Sequence, residues 1–249
     1  FSGLGNRAAN EWTQVLENNL NKHKSKKFYQ SFLNNISLTS KDWAQFSKIG
    51  IKNKKTLLIH VNYRIINACA KPLKPQAYIK LIEYAINKDY QIVFIGREKY
   101  PEIFKKYQVI NYAESKIANF LNDLKLFKFA EFSIICASGL ATIPRYLYKY
   151  YLYINYWHIN TRIESDRCIM VPALISMKNN PLINIYHQIK LQNSETNFKN
   201  LNIESIESPN DLDILNAFEE LESLKFGKYK FIKEQDILKD KLRNTQSRI

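Results

Sequence analysis

The chain has 249 residues, of which 45% are hydrophobic and 24% charged, so it can bury a sizeable core and wholesale disorder is excluded. Its three widely spaced cysteines form no CxxC pair, which argues against a disulfide scaffold or a cysteine-based zinc site. The net charge of +14 lies mostly at the ends of the chain, with +7 in residues 1–60, +5 in 225–249 and +2 between them. Because 29 of the 37 basic residues are Lys, the composition favours diffuse attraction to anions over sequence-specific reading of bases.

The first fifty residues predict helices. Apolar residues at helical spacing indicate helix within 7–36. Ser40 is expected to cap a short helix over 41–49, which Gly50 ends. Residues 1–50 are therefore predicted to be a short helical N-terminal segment.

Short apolar runs then alternate with helical patterns. Strands are predicted over 56–61, 91–95, 109–110, 131–136 and 151–155. Helices are predicted from Pro75 to residue 87, from Ser115 with Ile117, Phe120, Leu121 and Leu124 along it, and from residue 139 to about 148. This alternation is typical of a parallel, doubly wound α/β sheet, and burial on both faces explains why the strands read as continuous apolar runs.

The pattern loosens near residue 156. Residues 156–168 read as a loop, and 170–175 as a strand or buried segment. Ser208 as N-cap and Pro209 as first helical residue predict a last helix. We therefore divide the chain into 1–50, an α/β domain over 51–207, and a helix with a basic tail over 208–249.

Polar and aromatic residues gather where the predicted strands end. Because open α/β sheets bind ligands beyond the carboxyl ends of their strands, these residues are the candidate site. They are His60, Asn62 and Arg64 after the first strand, Gly96 and Arg97 after the second, Ser138 and Gly139 after the fourth, and Asn155, Trp157 and His158 after the fifth.

Two pairs of these residues suit a phosphate. Ser138 and Gly139 begin a helix, where free N–H groups and the helix dipole attract anions, although Ser138 is equally explained as an N-cap. Arg64 and Arg97 could each clamp a diphosphate or carboxylate with two hydrogen bonds, or else form surface ion pairs.

The remaining chemistry-bearing residues are weaker candidates. His60 lies within an apolar strand and is expected to be a core residue more often than a catalyst, whereas His158 lies in a loop and is freer. Asp211 and Asp213 match an Asp-x-Asp metal pattern, but acidic residues in a first helical turn offset the helix dipole. No GxxxxGK[ST], GxSxG, HExxH or GxGxxG occurs, which argues against P-loop NTPases, α/β-hydrolases, zincins and ordinary dinucleotide enzymes.

Four segments form an ordered series along the chain: LTSKDWAQFSKIGIKNKKTLLIHVNYR, YIKLIEYAINKDYQIVFIGR, VINYAESKIANFLNDLKLFKFAEFSIICASGLATIPRYLYKYYLYIN and IESPNDLDILNAFEELES. This series resembles a group of bacterial glycosyltransferases that are linked to surface-polysaccharide genes and distantly similar to heptosyltransferases of the GT-B type. The segments cover about residues 39–224, with gaps in 160–203. No single motif among them is decisive.

The resemblance implies a GT-B-like enzyme whose Rossmann-like domain, residues 51–207, binds a nucleotide-sugar donor. It implies transfer of the sugar to a glycan or lipid-linked acceptor, with no metal and no other cofactor. It implies a phosphate loop at Ala137, Ser138, Gly139 and Leu140, with Arg64 and Arg97 in catalysis. The family commonly has Arg where this chain has Asn62, so the role of Arg64, two residues on, is an open question.

The resemblance also sets expectations about size and location. GT-B enzymes have two lobes, and residues 1–50 are expected to be a remnant of the acceptor lobe, or the chain a fragment. No apolar run near 18 residues is present, so we expect a cytoplasmic protein with peripheral contact at the inner, anionic face of the membrane. The alternatives are a non-catalytic nucleotide- or glycan-binding module and, less favoured because no RRM, KH or helix-turn-helix signature is found, a nucleic-acid binder.

Overall fold

The computed structural model describes residues 36–62, 73–136, 138–156, 167–177 and 203–229. The helix predicted within 7–36 and most of the basic tail lie outside the described residues.

Within these ranges, six strands form one parallel sheet, as the sequence predicts for an α/β fold. They are β1 (Thr56–His60), β2 (Gln91–Ile95), β3 (Ile110–Asn111), β4 (Phe132–Cys136), β5 (Tyr151–Tyr156) and β6 (Cys168–Pro172). Their order across the sheet is β3-β2-β1-β4-β5-β6, and every neighbouring pair is parallel. The segment 170–175, predicted as a strand or buried segment, is divided between β6 and β7 (Leu174–Met177), and β7 pairs antiparallel with β8 (Ile203–Glu207).

Helices cover both faces of the sheet. They are α1 (Ser40–Ser47), α2 (Ile79–Asn87), α3 (Phe120–Phe129), α4 (Thr142–Tyr146) and α5 (Asp211–Lys225). The chain enters α2 through a 3₁₀ turn, Pro75–Tyr78, and α4 through Gly139–Ala141, while Glu102–Tyr107 forms a further 3₁₀ turn before β3. The described sheet and the helices on its two faces form the α/β lobe in which the candidate site is sought.

Alternate residues of each buried strand supply two separate cores. Leu57 and Ile59 of β1 pack with α2 and α5 on one face, where Phe218 is fully buried. Leu58 packs with α1, α3 and α4 on the other, where Phe127 is buried. Burial on both faces explains the continuous apolar strands.

Two helix starts lie one or two residues away from their predicted positions. Thr39, not Ser40, caps α1, and the last helix begins at Asp211 instead of Pro209. In both helices the cap side chain accepts the backbone N–H of an Asp three residues on, and the carboxylate of that Asp accepts the backbone N–H of the cap. This reciprocal pair stabilises the observed start over a neighbouring serine that lacks it.

The cap of the helix predicted from Ser115 lies four residues later. Asn119 caps α3, and its backbone N–H and carbonyl both lie at 3.3 Å from the Tyr112 hydroxyl. Ile117 therefore precedes the helix, and Phe120 and Leu121, which form its first turn, are 43% and 54% exposed.

A carboxylate on α5 joins Tyr84 of α2 to Tyr90, which directly precedes β2. Glu222 accepts hydrogen bonds from Tyr84 at 2.7 Å and Tyr90 at 2.6 Å.

We expect Glu222→Ala to lower the free energy of unfolding by about 2 kcal/mol, since both bonds involve a charged acceptor. Urea unfolding measures the effect. Glu219→Ala, an exposed site on the same helix, is the matched control and should change stability by less than about 0.5 kcal/mol; equal losses in both variants would contradict the assignment.

Candidate functional site

The topological switch point of the sheet lies between the carboxyl ends of β1 and β4, and this position is referred to as the crevice. The chain leaves β1 toward β2 and β3 on one side and then crosses to β4 on the other. Segments that follow β1 and β4 therefore diverge, which is the topological switch point where open α/β sheets bind ligands. His60 ends β1 and Cys136 ends β4, so the described residues among those predicted after these strands, Asn62, Ser138, Gly139 and Leu140, follow the strand ends at this edge.

Gly96 brings the ends of β1 and β2 close to the turn after β4. Its φ is +110°, a left-handed conformation that side chains rarely adopt. A Cβ at this position would lie 2.6 Å from His60 Cδ2 and 3.7 Å from Leu140 Cδ1. The His60 ring therefore occupies the space that a side chain at residue 96 would need, and three predicted site residues meet here.

His60 is a buried, neutral imidazole. It is 4% exposed, and its Nδ1 has no hydrogen-bond partner among the described residues. Burial lowers its pKa from 6.5 to about 4, so the ring carries no charge at neutral pH. His60 is therefore buried, as the sequence predicts for a core residue, but within the described part of the chain its Nδ1 lacks the hydrogen bond that a buried polar atom usually has. An uncharged ring does not act as the cation of the site.

Tyr78 connects the two strand ends below the crevice. Its hydroxyl donates to the His60 carbonyl at 3.2 Å and lies 2.8 Å from Cys136 Sγ. Burial raises the pKa of the Cys136 thiol to about 11, despite bonds from Tyr78 and the Asn62 backbone that lower it. Cys136 is thus a protonated packing residue instead of a nucleophile.

In the turn after β4, Ser138 acts as an N-cap, which is one of the two roles that the sequence predicts for it. Ser138 Oγ accepts the Leu140 N–H at 3.2 Å, and Thr142 Oγ1 donates to the Gly139 carbonyl at 2.7 Å. Gly139 itself is exposed. The capping role of Ser138 is confirmed, while its role toward a phosphate, shared with Gly139 and Leu140, stays a prediction.

Arg97 lies near an acidic residue that the sequence did not single out. Burial raises the pKa of Asp123, and a hydrogen bond from Tyr112 at 2.8 Å and the charge of Arg97 oppose that rise. Asp123 is on the first turns of α3, whereas Arg97 follows β2 and Tyr112 follows β3. No local pattern reveals this group, because only the folded sheet brings the three segments together.

Asn155 lies at an irregular point of β5. Its φ is +54°, and the register with β6 shifts between Ile154 and Tyr156. Bulges of this kind redirect side chains at sheet edges, and Asn tolerates the left-handed conformation better than most residues. The backbone at the carboxyl end of β5 is therefore left-handed and bulged at Asn155, a predicted site residue. A role for Asn155 in binding a ligand stays a prediction.

Several predicted site residues fall outside the described ranges: Arg64, Ala137, Trp157 and His158. Asn62 is described and lies two residues beyond β1, partly buried.

The Asp211–Asp213 pair serves the start of α5. Asp213 accepts the backbone N–H of the cap residue Asn210, and Asp211 pairs with Lys80 at 3.1 Å. Both roles agree with the helix-start reading of the sequence. Among the described residues, no three His, Cys, Asp or Glu side chains are grouped so that they could hold a metal ion, and no helix there is long and apolar enough to cross a membrane.

Comparison with known proteins gives resemblance at the level of the fold. No protein-family model and no curated protein sequence matches the chain. Among solved structures, it resembles ADP-heptose LPS heptosyltransferase II of E. coli, with 13% identity over 74% of this chain and 52% of that one, at a TM-score of 0.47. It also resembles a family 9 glycosyl transferase of Veillonella parvula, with 11% identity over 78% and 51% at 0.40. A third is the UDP-GlcNAc 2-epimerase of Methanocaldococcus jannaschii, with 14% identity over 78% and 52% at 0.39.

The chain spans about half the length of these structures. At such low identity the resemblance concerns the course of the backbone, and the substrates in those names belong to those proteins. What the chain itself has is an α/β lobe with a six-stranded parallel sheet and a crevice at its switch point.

Proposed function

We propose that this chain binds a nucleotide-activated sugar at the carboxyl edge of its sheet and takes part in transferring that sugar to a glycan or lipid-linked acceptor in surface-polysaccharide synthesis. The observation that carries the proposal is the crevice at the switch point, where His60, Gly96 and Leu140 meet and Arg97 follows Gly96. The ordered resemblance of the sequence to bacterial glycosyltransferases supports the same assignment.

The chemistry requires stabilisation of a leaving anion. In the transfer, the bond between the anomeric carbon and the diphosphate oxygen breaks, and a bond forms from that carbon to the acceptor oxygen. The leaving nucleoside diphosphate takes the electron pair, so negative charge grows on its oxygen. We assign stabilisation of that charge to Arg97, joined by Arg64, since a guanidinium can bind two phosphate oxygens at once.

The neighbours of Arg97 suit this role. Asp123 is close enough for the charge of Arg97 to affect its pKa, and Tyr112 donates a hydrogen bond to the Asp123 carboxylate. We assign Asp123 as a positioning residue that orients Arg97 toward the crevice. His60, uncharged at neutral pH, contributes shape and not charge. We expect the base that accepts the proton of the acceptor hydroxyl to come from a second lobe, as in the enzymes that the sequence resembles.

We expect Arg97→Ala to weaken binding of the best sugar nucleotide by about tenfold, since the lost contact is charge-assisted. Isothermal calorimetry measures the affinity, after a thermal-shift screen of nucleoside diphosphates and their sugars identifies the donor. Lys99→Ala removes one positive charge two residues away and should leave affinity within about twofold. Arg97→Lys keeps the charge but loses the two-pronged geometry, and should lie between the two.

Two results would contradict the proposal. One is a screen in which no sugar nucleotide changes the melting temperature. The other is an Arg97→Ala affinity equal to that of the unchanged protein, with unfolding curves that show an intact fold.

The second candidate function is a non-catalytic module that binds a nucleotide or glycan. Asn62 favours it, because the family that the sequence resembles commonly has Arg at this position. A turnover assay over the same panel separates the two, since binding without product supports the module and release of nucleoside diphosphate supports the enzyme.

A further inference from the structure

The edge of the sheet opposite the candidate site concentrates positive charge. Four cations lie where strands begin or helices end: Lys128 near the end of α3, Lys149 before β5, Arg167 before β6, and Lys225 at the end of α5. Together with Glu131 and the exposed rings of Tyr148 and Phe226, they are called here the amino-edge surface. Residues 61–224 carry only +2 in total, so the grouping of Lys128, Lys149 and Arg167 from this segment at one edge reflects segregation of charge, to which Lys225 adds a cation from the basic tail.

Aromatic rings at the starts of two strands hold two of these cations in place. Lys225 Nζ lies 5.0 Å from the centre of the Phe132 ring and bonds the Glu131 carboxylate. The Arg167 guanidinium lies 5.2 Å from the Tyr150 ring. The two rings are themselves 6.4 Å apart. The cations are therefore fixed side by side along a row of rings, a geometry that favours charge at these points.

Lys149 lies among three other cations and one carboxylate. It donates to the Lys128 carbonyl at 2.9 Å, which is a neutral partner. Burial lowers the pKa of Lys149, and the charges of Lys225, Arg167 and Lys128 lower it further, against the opposing effect of Glu131. An anion bound at this surface would stabilise the charged form of Lys149 against that repulsion.

Exposed rings accompany the charge. Phe226 is 54% exposed and Tyr148 42%. Tyr148 has a φ of +53°, which is rare for a bulky residue, and its carbonyl accepts a hydrogen bond from Arg167. The turn that carries this ring is thereby anchored to one of the cations.

The combination of rings and lysines distinguishes two anionic partners. Exposed rings also stack on the bases of single-stranded RNA, so they do not separate the two partners by themselves. Three of the four cations are lysines, however, whereas arginine is the residue that suits two-pronged phosphate contacts and stacking on bases. A membrane interface stabilises both components, because cations contact anionic headgroups while apolar rings enter the boundary with the acyl chains.

We infer that the amino-edge surface binds anionic lipid membranes, with its net positive charge attracting the headgroups and Phe226 and Tyr148 at the acyl boundary. β1 has five residues, and at a rise of roughly 3.3 Å per residue the two edges are roughly 17 Å apart. The candidate site therefore faces water when the surface is bound. This inference concerns a different edge from the proposed transfer function and does not depend on it.

Co-sedimentation with vesicles tests the inference. Vesicles of phosphatidylcholine alone are compared with equal mixtures of phosphatidylcholine and phosphatidylglycerol. The variant Lys128→Glu/Lys228→Glu, which reverses a cation of the surface and an exposed one near Phe226, should bind the anionic vesicles about tenfold or more weakly. The control Lys99→Glu/Lys116→Glu makes the same change in net charge at exposed positions on the carboxyl edge and should lose less than about threefold.

A third variant separates the rings from the charge. Phe226→Ser should weaken binding to anionic vesicles while its dependence on salt stays that of the unchanged protein. Equal binding to both kinds of vesicle overturns the inference, and so does equal loss in the two double variants. Tighter binding of a short single-stranded RNA than of anionic vesicles, lost in the same amino-edge variant, also overturns it in favour of a nucleic-acid partner. Sugar-nucleotide affinity of the variants, measured in parallel, is expected to be unchanged.

Discussion

Replacing Gly96 by alanine should lower the free energy of unfolding by about 3 kcal/mol, a large effect for one added methyl group. Two separate penalties combine. The φ of +110° disfavours any side chain, and the new Cβ would meet His60 Cδ2 at 2.6 Å. His60 is 4% exposed and belongs to a fully buried strand, so its ring has little room to move away.

A second glycine separates the two penalties. Gly50 has a φ of +90°, but a Cβ added there would have no atom within 4 Å, so Gly50→Ala measures the backbone penalty alone, about 1 kcal/mol. Urea unfolding of both variants gives the difference that belongs to the contact with His60. In a His60→Ala background, Gly96→Ala should cost about as much as Gly50→Ala. Equal effects of the two glycine variants in the unchanged background would show that the close contact is not formed.

The strands were predictable because each is buried on both faces. β1, β2 and β4 are continuous apolar runs whose five residues are all buried, and their predicted bounds lie within one residue of those observed. Since parallel strands end at a common edge, the residues after them were also predictable as neighbours. The meeting of His60 with Gly96 follows from this rule applied to adjacent strands.

Helix starts were less predictable, because several residues near each one can act as a cap. The difference is made by a second bond, which joins Thr39 to Asp42 in α1 and Asn210 to Asp213 in α5. For α3 it is a tertiary bond, with the Tyr112 hydroxyl at another point of the fold. The start of α3 therefore cannot be predicted from the residues around it alone.

Long-range groupings could not be predicted at all. β7 and β8 pair although they lie more than 25 positions apart in the chain. Neither strand alone shows the alternation of apolar and polar residues that would have predicted it. The grouping of Lys128, Lys149 and Arg167 at the amino edge is likewise invisible in a segment whose total is only +2. Both depend on which strand starts become neighbours in the sheet.

The buried imidazole at the crevice should make the protein sensitive to mild acid. The pKa of His60 is about 4 in the folded protein because of burial, against 6.5 when exposed. Between these values the unfolded chain binds a proton that the folded protein does not, so stability is fully present above pH 6.5 and decreases as the pH falls toward 4. At about 1.4 kcal/mol for each pKa unit, the loss is about 3 kcal/mol.

The comparison that isolates this loss is between the unchanged protein and His60→Gln. Glutamine keeps polar atoms at the site but does not titrate, whereas all carboxylates are common to both proteins. Urea unfolding at a series of pH values should show that the stability of the unchanged protein, relative to the variant, declines by about 3 kcal/mol between pH 6.5 and 4. Parallel curves would mean that the ring titrates normally and is accessible to water. His60 and Arg97 lie at the ends of adjacent strands, so either could supply positive charge at the crevice. A normal titration of His60 would therefore remove the argument that Arg97 alone carries that charge.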